Sequence, residues 1–190
     1  MQLVVATNNR HKLDEIQTFL GSSFELKTLA DIDCTEELPE TGRTLEANSL
    51  QKTKYLADYY NVDCFGDDTG LEITALNGEP GVDSAFYSGS RDAQANMQKV
   101  LTQLEGVTDR SARFRTVITL IIQEEIYQFE GIVEGTILEA PRGDHGFGYD
   151  PIFQPEGFDR SFGEMTMEEK NAINHRTRAV TKMVEFLTTV

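Results

Sequence analysis

The apolar and polar positions alternate between two periods along this chain. Gln2–Thr7 reads as a short apolar strand. A polar stretch follows, then Leu13, Ile16 and Leu20 recur at helical spacing from about His11 to Leu20, with Gly21 where a C-terminal cap belongs. Phe24–Leu29 alternates like a second strand, and Thr44–Tyr60 reads as a helix. Asp63–Asp67 and Leu71–Leu76 are two short extended pieces broken by Thr69-Gly70, with an Asn77-Gly78 turn after them. Ser90 is placed to cap a helix carrying Met97, Val100, Leu101 and Leu104. Phe114–Ile122 and Ile126–Leu138 predict a hairpin of two long strands, followed by a glycine-rich loop from Pro141 to Gly148. Thr166-Met-Glu-Glu169 has capping-box form and opens a last helix with Ile173, Val180, Val184 and Leu187 as its apolar stripe. Strands and helices mix throughout, which predicts an α/β domain over residues 1–190 built on a mixed sheet flanked by helices.

Composition narrows the class. At 190 residues and 39% hydrophobic content the chain can bury a real core. No apolar run reaches the length of a membrane span, and the opening MQLVVATNN reads as a strand rather than a signal peptide, so no membrane partner and a cytoplasmic setting are expected. Cys34 and Cys64 have no C-x-x-C spacing and suggest neither a disulfide framework nor a zinc cluster. The net charge of −15 argues against a protein that tracks a nucleic-acid backbone. An anionic ligand therefore needs a local cationic pocket, helped by a metal.

Four segments carry candidate chemistry. Thr7-Asn8-Asn9-Arg10-His11-Lys12 joins a strand to a helix, where free backbone N–H groups and the helix dipole suit a phosphate. The plain alternative is a polar turn with Asn as a helix cap, and the pattern G-x-x-x-x-G-K-[ST] is absent. In Gly66-Asp67-Asp68-Thr69-Gly70 adjacent carboxylates sit at a strand end, an arrangement that a bound Mg²⁺ relieves. One of those carboxylates is placed to take a proton from an attacking water, and the flanking glycines suggest close backbone approach. Phe147-Gly148-Tyr149-Asp150 with Phe153 forms either a stacking slot for a base or a loop plugging the core. Lys170, Asn174, His175 and Arg176 form a basic cluster on the last helix, with Lys170 and Asn174 on one face.

In this order the segments resemble the inosine triphosphatase family, the non-canonical purine NTP pyrophosphatases. The matching stretches are ATNNRHK (6–12), LPETG (38–42), NSLQK (48–52), DDTGLEI (67–73), PGVDSAFYSG (80–89), APRG (140–143), FGYDPIF (147–153) and EMTMEEKNAINHR (164–176), which span nearly the whole chain. The resemblance implies Mg²⁺-dependent hydrolysis of ITP, dITP and XTP to the monophosphate and pyrophosphate. It also implies an elongated fold of two lobes with a central substrate cleft, and a homodimer. By motif position Thr7, Asn9 and Lys12 hold the triphosphate, with Asn8, Arg10 and His11 beside them, and Lys52 neutralises phosphate charge. Glu40 and Asp68 bind Mg²⁺, Asp68 doubles as the base for the attacking water, and Thr69 touches substrate. Phe147, Gly148, Tyr149 and Asp150 line the base pocket, which Lys170, His175 and Arg176 complete. A donor such as Arg176 would reward the 6-keto group and clash with adenine's amino group.

The chain departs from that pattern at three places. Phe86 stands where the family often has Arg or Lys, with Arg91 the candidate replacement; Asp83 replaces a frequent Tyr; Asn174 stands where Ser usually precedes His-Arg. A pyrophosphatase for a different modified nucleotide is the enzymatic alternative, and a nucleotide-binding regulator without turnover is the alternative of another class.

Overall fold

The computed structural model describes residues 2–20 and 24–189, without the side chains of residues 19 and 20. The side chain of Leu20 and the expected Gly21 cap lie outside that set. Among the described residues, six strands and five α-helices follow in chain order: β1 (Gln2–Val5), α1 (Arg10–Leu20), β2 (Glu25–Lys27), α2 (Leu45–Tyr60), β3 (Cys64–Ile73), α3 (Ala93–Gln103), β4 (Ser111–Ile122), β5 (Glu125–Ile137), β6 (Phe153–Pro155), α4 (Met167–Asn171) and α5 (His175–Leu187). The strands form one sheet in the order β2-β1-β3-β4-β5-β6. β1 pairs parallel with β2 and with β3, whereas β5 and β6 are antiparallel, so the sheet is mixed as expected.

Two compact units divide the chain. The first comprises Met1–Asp68, Thr116–Gly131 and Arg176–Val190; the second comprises Thr69–Arg115 and Ile132–His175. In the first, β1 is buried on both faces, which its unbroken apolar run requires. Leu3 and Val5 pack with Phe65, Ile118 and Leu120 against Ile16 of α1 and Ala179, Val180, Met183 and Leu187 of α5. Val4 and Ala6 face the other way, toward Leu56 of α2. The second unit has its own core of Leu71, Ile73, Val100, Phe114, Val133, Ile152, Phe153 and Phe162.

Most predicted elements are present, with local corrections. β3 runs unbroken through Thr69-Gly70. Gly70 is there for contact rather than for a turn, because a Cβ at this position would lie 2.6 Å from the Gly81 carbonyl oxygen. Asp92, not Ser90, caps α3: its carboxylate accepts from the N–H groups of Gln94 and Ala95, while Ser90 Oγ accepts from the Asp92 N–H. The β4–β5 hairpin forms without glycine, Gln123 and Glu124 both taking positive φ. The Thr166 capping box is formed, but its helix ends at Asn171 and a separate helix starts at His175. Ile173 therefore packs in the core of the second unit and not on a stripe with Val180 and Leu187. Lys170 and Asn174 accordingly do not share one continuous helix; the Asn174 N–H closes the last turn on the Lys170 carbonyl at 2.9 Å. Three-residue β6 carried no readable alternation.

Candidate active site

The β1–α1 junction puts its own polar groups to structural use. Thr7 Oγ1 accepts from the Asn9 N–H at 3.0 Å. Asn9 Oδ1 accepts from the N–H groups of His11 (3.0 Å) and Lys12 (3.3 Å), the pattern of an N-cap. Two of the backbone donors expected to be free for phosphate are thus taken by the cap. Asn8, Arg10 and His11 are exposed. The Lys12 ammonium reaches Asp67 Oδ2 at 3.0 Å.

Asp67 is 1% exposed on β3 and lies at the centre of a charge network. Besides Lys12 it meets Arg176 Nε at 3.4 Å, and Arg176 Nη1 donates to Glu15 on α1. Burial opposes ionisation of Asp67, yet Lys12, Arg176 and Lys52 outweigh it and hold the carboxyl far below the usual range. The neighbouring Asp68 behaves oppositely. Burial raises its carboxyl above the ordinary value, Glu40 adds to the rise, and Lys52, Lys12 and a hydrogen bond with Asn48 only partly offset it.

Glu40 is brought to this group by α2. Asn48 Oδ1 accepts from the Gly42 N–H at 2.7 Å, Gln51 Oε1 from the Thr41 N–H at 2.8 Å, and Lys52 Nζ donates to Glu40 Oε1 at 2.6 Å. Residues 48, 51 and 52 share one face of a helix, so a single surface fixes the whole 40–42 segment. Glu36 is engaged elsewhere, accepting from the Tyr60 hydroxyl at 2.7 Å. Lys52 is 5% exposed. Burial works against its charge, but Asp67, Glu40 and Asp68 prevail and raise its ammonium above the ordinary range. Gly66 serves packing, since a Cβ there would sit 2.6 Å from Thr53 Oγ1 on α2.

The donor set suits Mg²⁺. Glu40 and Asp68 offer hard carboxylate oxygens in one charged neighbourhood, and the upward pull that Glu40 exerts on Asp68 is what a cation between like charges removes. Among the described residues no three His, Cys, Asp or Glu side chains form a metal cage. Mg²⁺ needs none, since it fills its shell with water and substrate phosphate.

The second unit assembles the aromatic and basic segments. Asp150 Oδ2 accepts from Lys170 Nζ at 2.7 Å and from the Phe147 N–H at 3.0 Å. Lys170 Nζ also stands 4.7 Å from the centroid of the half-buried Phe147 ring. Tyr149 belongs to the core, its hydroxyl donating to the Ser84 carbonyl at 2.6 Å. His175 is buried and stacks on Phe114 at 4.7 Å and 15°. The stacking-slot and core-plug readings thus divide by residue: Phe147 is the accessible ring and Tyr149 the buried one. Gly148 takes a positive φ of 60° and turns the chain between them.

Glu15 is the residue that sequence reasoning missed. Its signal was an acid on the inward face of α1 beside Ile16, where a buried carboxylate requires a partner. Asn48 was visible only as part of a matching stretch, not as the link between the Glu40 segment and Asp68.

Comparison with known proteins fixes the lineage. The dITP/XTP pyrophosphatase of Flavobacterium johnsoniae is 50% identical over 189 residues, covering 99% of this chain and 98% of the relative. Its namesake from Bacillus subtilis is 44% identical over 98% of this chain and 96% of the relative. Among solved structures, a HAM1 protein from Coxiella burnetii superposes with a TM-score of 0.92 at 36% identity, covering 100% of both chains. The Staphylococcus aureus Ham1 protein gives 0.91 at 34% identity, covering 100% of this chain and 99% of the other. The profile of the Ham1 family matches residues 3–186, and the chain belongs to that family.

Proposed function

We propose that this protein is a Mg²⁺-dependent pyrophosphatase that hydrolyses ITP, dITP and XTP to the nucleoside monophosphate and pyrophosphate. The observation that carries the reading is the grouping of two lysines with two oppositely tuned aspartates and Glu40 in the first unit. Lys12 and Lys52 bind the triphosphate and neutralise its charge, with Thr7 to His11 lining the phosphate side and Thr69 touching the chain. Asp67 stays ionised and holds Lys12 in place. Asp68 is the base: its carboxyl, raised by burial, accepts the proton of the water that attacks the α-phosphorus. Glu40 and Asp68 hold Mg²⁺, which supplies charge neutralisation at the phosphate oxygens.

The purine is assigned to the Phe147–Asp150 loop with Lys170 and His175, the Phe147 ring being the stacking surface and the buried Tyr149 supporting the loop from the core. Arg176, held rigid by Glu15 and Asp67, donates to the 6-keto oxygen and meets adenine's amino group donor to donor. The relatives' names support the choice of base. The same reading carries one functional domain, a cytoplasmic setting and a homodimer, the last of which a solution mass measurement reads.

Asp68→Asn tests the chemistry. Removing a general base lowers kcat by about 100-fold or more. Pyrophosphate release in the variant at the wild-type rate would remove Asp68 from that role. Chelation of the metal is expected to stop turnover, and readdition of Mg²⁺ to restore it.

A further inference from the structure

Asn48 has no part in the chemistry proposed above, yet its side chain joins the segment of one carboxylate assigned to the metal to the other carboxylate. It lies near the start of α2 and is buried. Its Oδ1 accepts from the Gly42 N–H at 2.7 Å, two residues beyond Glu40, and its side chain also hydrogen-bonds Asp68 on β3. Glu40, Gly42, Asn48 and Asp68 all belong to the first unit.

The two partners make opposite demands. A peptide N–H needs an acceptor and a carboxylate needs a donor. A side-chain amide meets both at once, with its oxygen on Gly42 and its NH₂ group on Asp68. Aspartate at this position would lack the donor, and alanine would lack both groups.

The backbone is shaped to the contact. A Cβ on Gly42 would lie 2.8 Å from Asn48 Oδ1 and 2.7 Å from the Ala47 Cβ, so the segment reaches the helix this closely because residue 42 is glycine. The platform behind Asn48 is fixed as well, since the next residue, Ser49, hydrogen-bonds Thr119 of β4. Gln51 holds Thr41 from the same helix face; Asn48 differs in reaching Asp68 too. Two carboxylates that share a cation bind it well when they are ordered before it arrives. Hydrogen-bond partners of ligating groups supply that order, and losing one costs roughly tenfold to a hundredfold in metal affinity.

We propose that Asn48, seated on Gly42, is a positioning residue that fixes the spacing of Glu40 and Asp68 and thereby sets the affinity of the site for a divalent cation. The inference rests on the reading of those two carboxylates as metal ligands.

The test measures direct binding of Mn²⁺, a paramagnetic substitute for Mg²⁺, to the nucleotide-free protein by electron paramagnetic resonance. Alongside it, steady-state assays give kcat and the Mg²⁺ concentration that half-activates ITP hydrolysis. Wild type is compared with Asn48→Ala, Asn48→Ser, Gly42→Ala and Gln51→Ala, with thermal unfolding of each. Asn48→Ala is expected to raise the Mn²⁺ Kd and the half-activating Mg²⁺ concentration by about tenfold or more. At saturating Mg²⁺ its kcat stays within about threefold of wild type, the signature of a lost affinity. Asn48→Ser, which can keep one of the two bonds, falls between. Gly42→Ala leaves the amide in place but drives a Cβ onto its oxygen, and shifts the Kd in the same direction. Gln51→Ala changes the Kd by less than about threefold, because only a tether to α2 is lost. A wild-type Mn²⁺ Kd in Asn48→Ala, whatever its Tm, overturns the proposal and leaves a structural hydrogen bond. A shift in Gln51→Ala as large as that in Asn48→Ala also overturns it, since tethering to α2 would then suffice. Wild type that binds no Mn²⁺ would overturn the metal assignment itself, and the proposal with it.

Discussion

Replacing Lys170 by Met would leave Asp150 ionised and buried without its cation. The two side chains are each 4% exposed and meet at 2.7 Å. Removing one partner of a buried pair costs about 3–5 kcal/mol, because the remaining charge loses its compensation. The lower end applies here, since the Phe147 N–H still donates to Asp150 and Met fills most of the volume that Lys170 occupies. For a chain of this size a loss of about 3 kcal/mol lowers Tm by about 6–12 °C. Adding Asp150→Asn removes the stranded charge, so the double variant is expected to recover most of the loss, with a coupling energy of about 2 kcal/mol or more. Thermal unfolding of the four proteins closes the cycle. Single-variant losses that simply add, or a Lys170→Met protein melting within 2 °C of wild type, as expected for about 0.5–1 kcal/mol or less, would refute the reasoning.

Two further outcomes follow from the geometry. Asp67→Asn is expected to destabilise the protein by about 3 kcal/mol, because Lys12 loses its partner while Arg176 keeps Glu15; Asp68→Asn, which removes a carboxylate that burial already disfavours, should melt at or above the wild-type temperature, and the reverse order would contradict the charge assignment. Gly70→Ala forces a Cβ to within 2.6 Å of the Gly81 carbonyl and should cost about 1–3 kcal/mol in thermal unfolding, whereas a neutral result would mean that the 81–86 segment is not clamped on β3.

Long periodic elements were legible because a single local rule governs each of them. α2 has a Thr cap and Asn61 in the left-handed conformation at its end, and the β4–β5 pair is two long apolar runs. Asp67 and Asp68 were recognisable as chemistry, but their opposite tuning was not. It depends on Lys12, Lys52, Arg176 and Glu40, which come from distant parts of the chain. Gly70 was misread because a glycine needed for a neighbour's approach looks, in one dimension, like a glycine needed for a turn. The break before His175 was hidden because Ala172 and Ile173 continue a helical pattern across it. Glu15 shows the same limit: an acid on a helix reads as solvated until the fold places Arg176 beside it.

Pyrophosphate release from ITP, dITP, XTP, ATP and GTP, with and without Mg²⁺, tests the central claim most directly. Rapid Mg²⁺-dependent turnover of the first three and little of the last two is the expected result. Equal rates on ATP and ITP would contradict it.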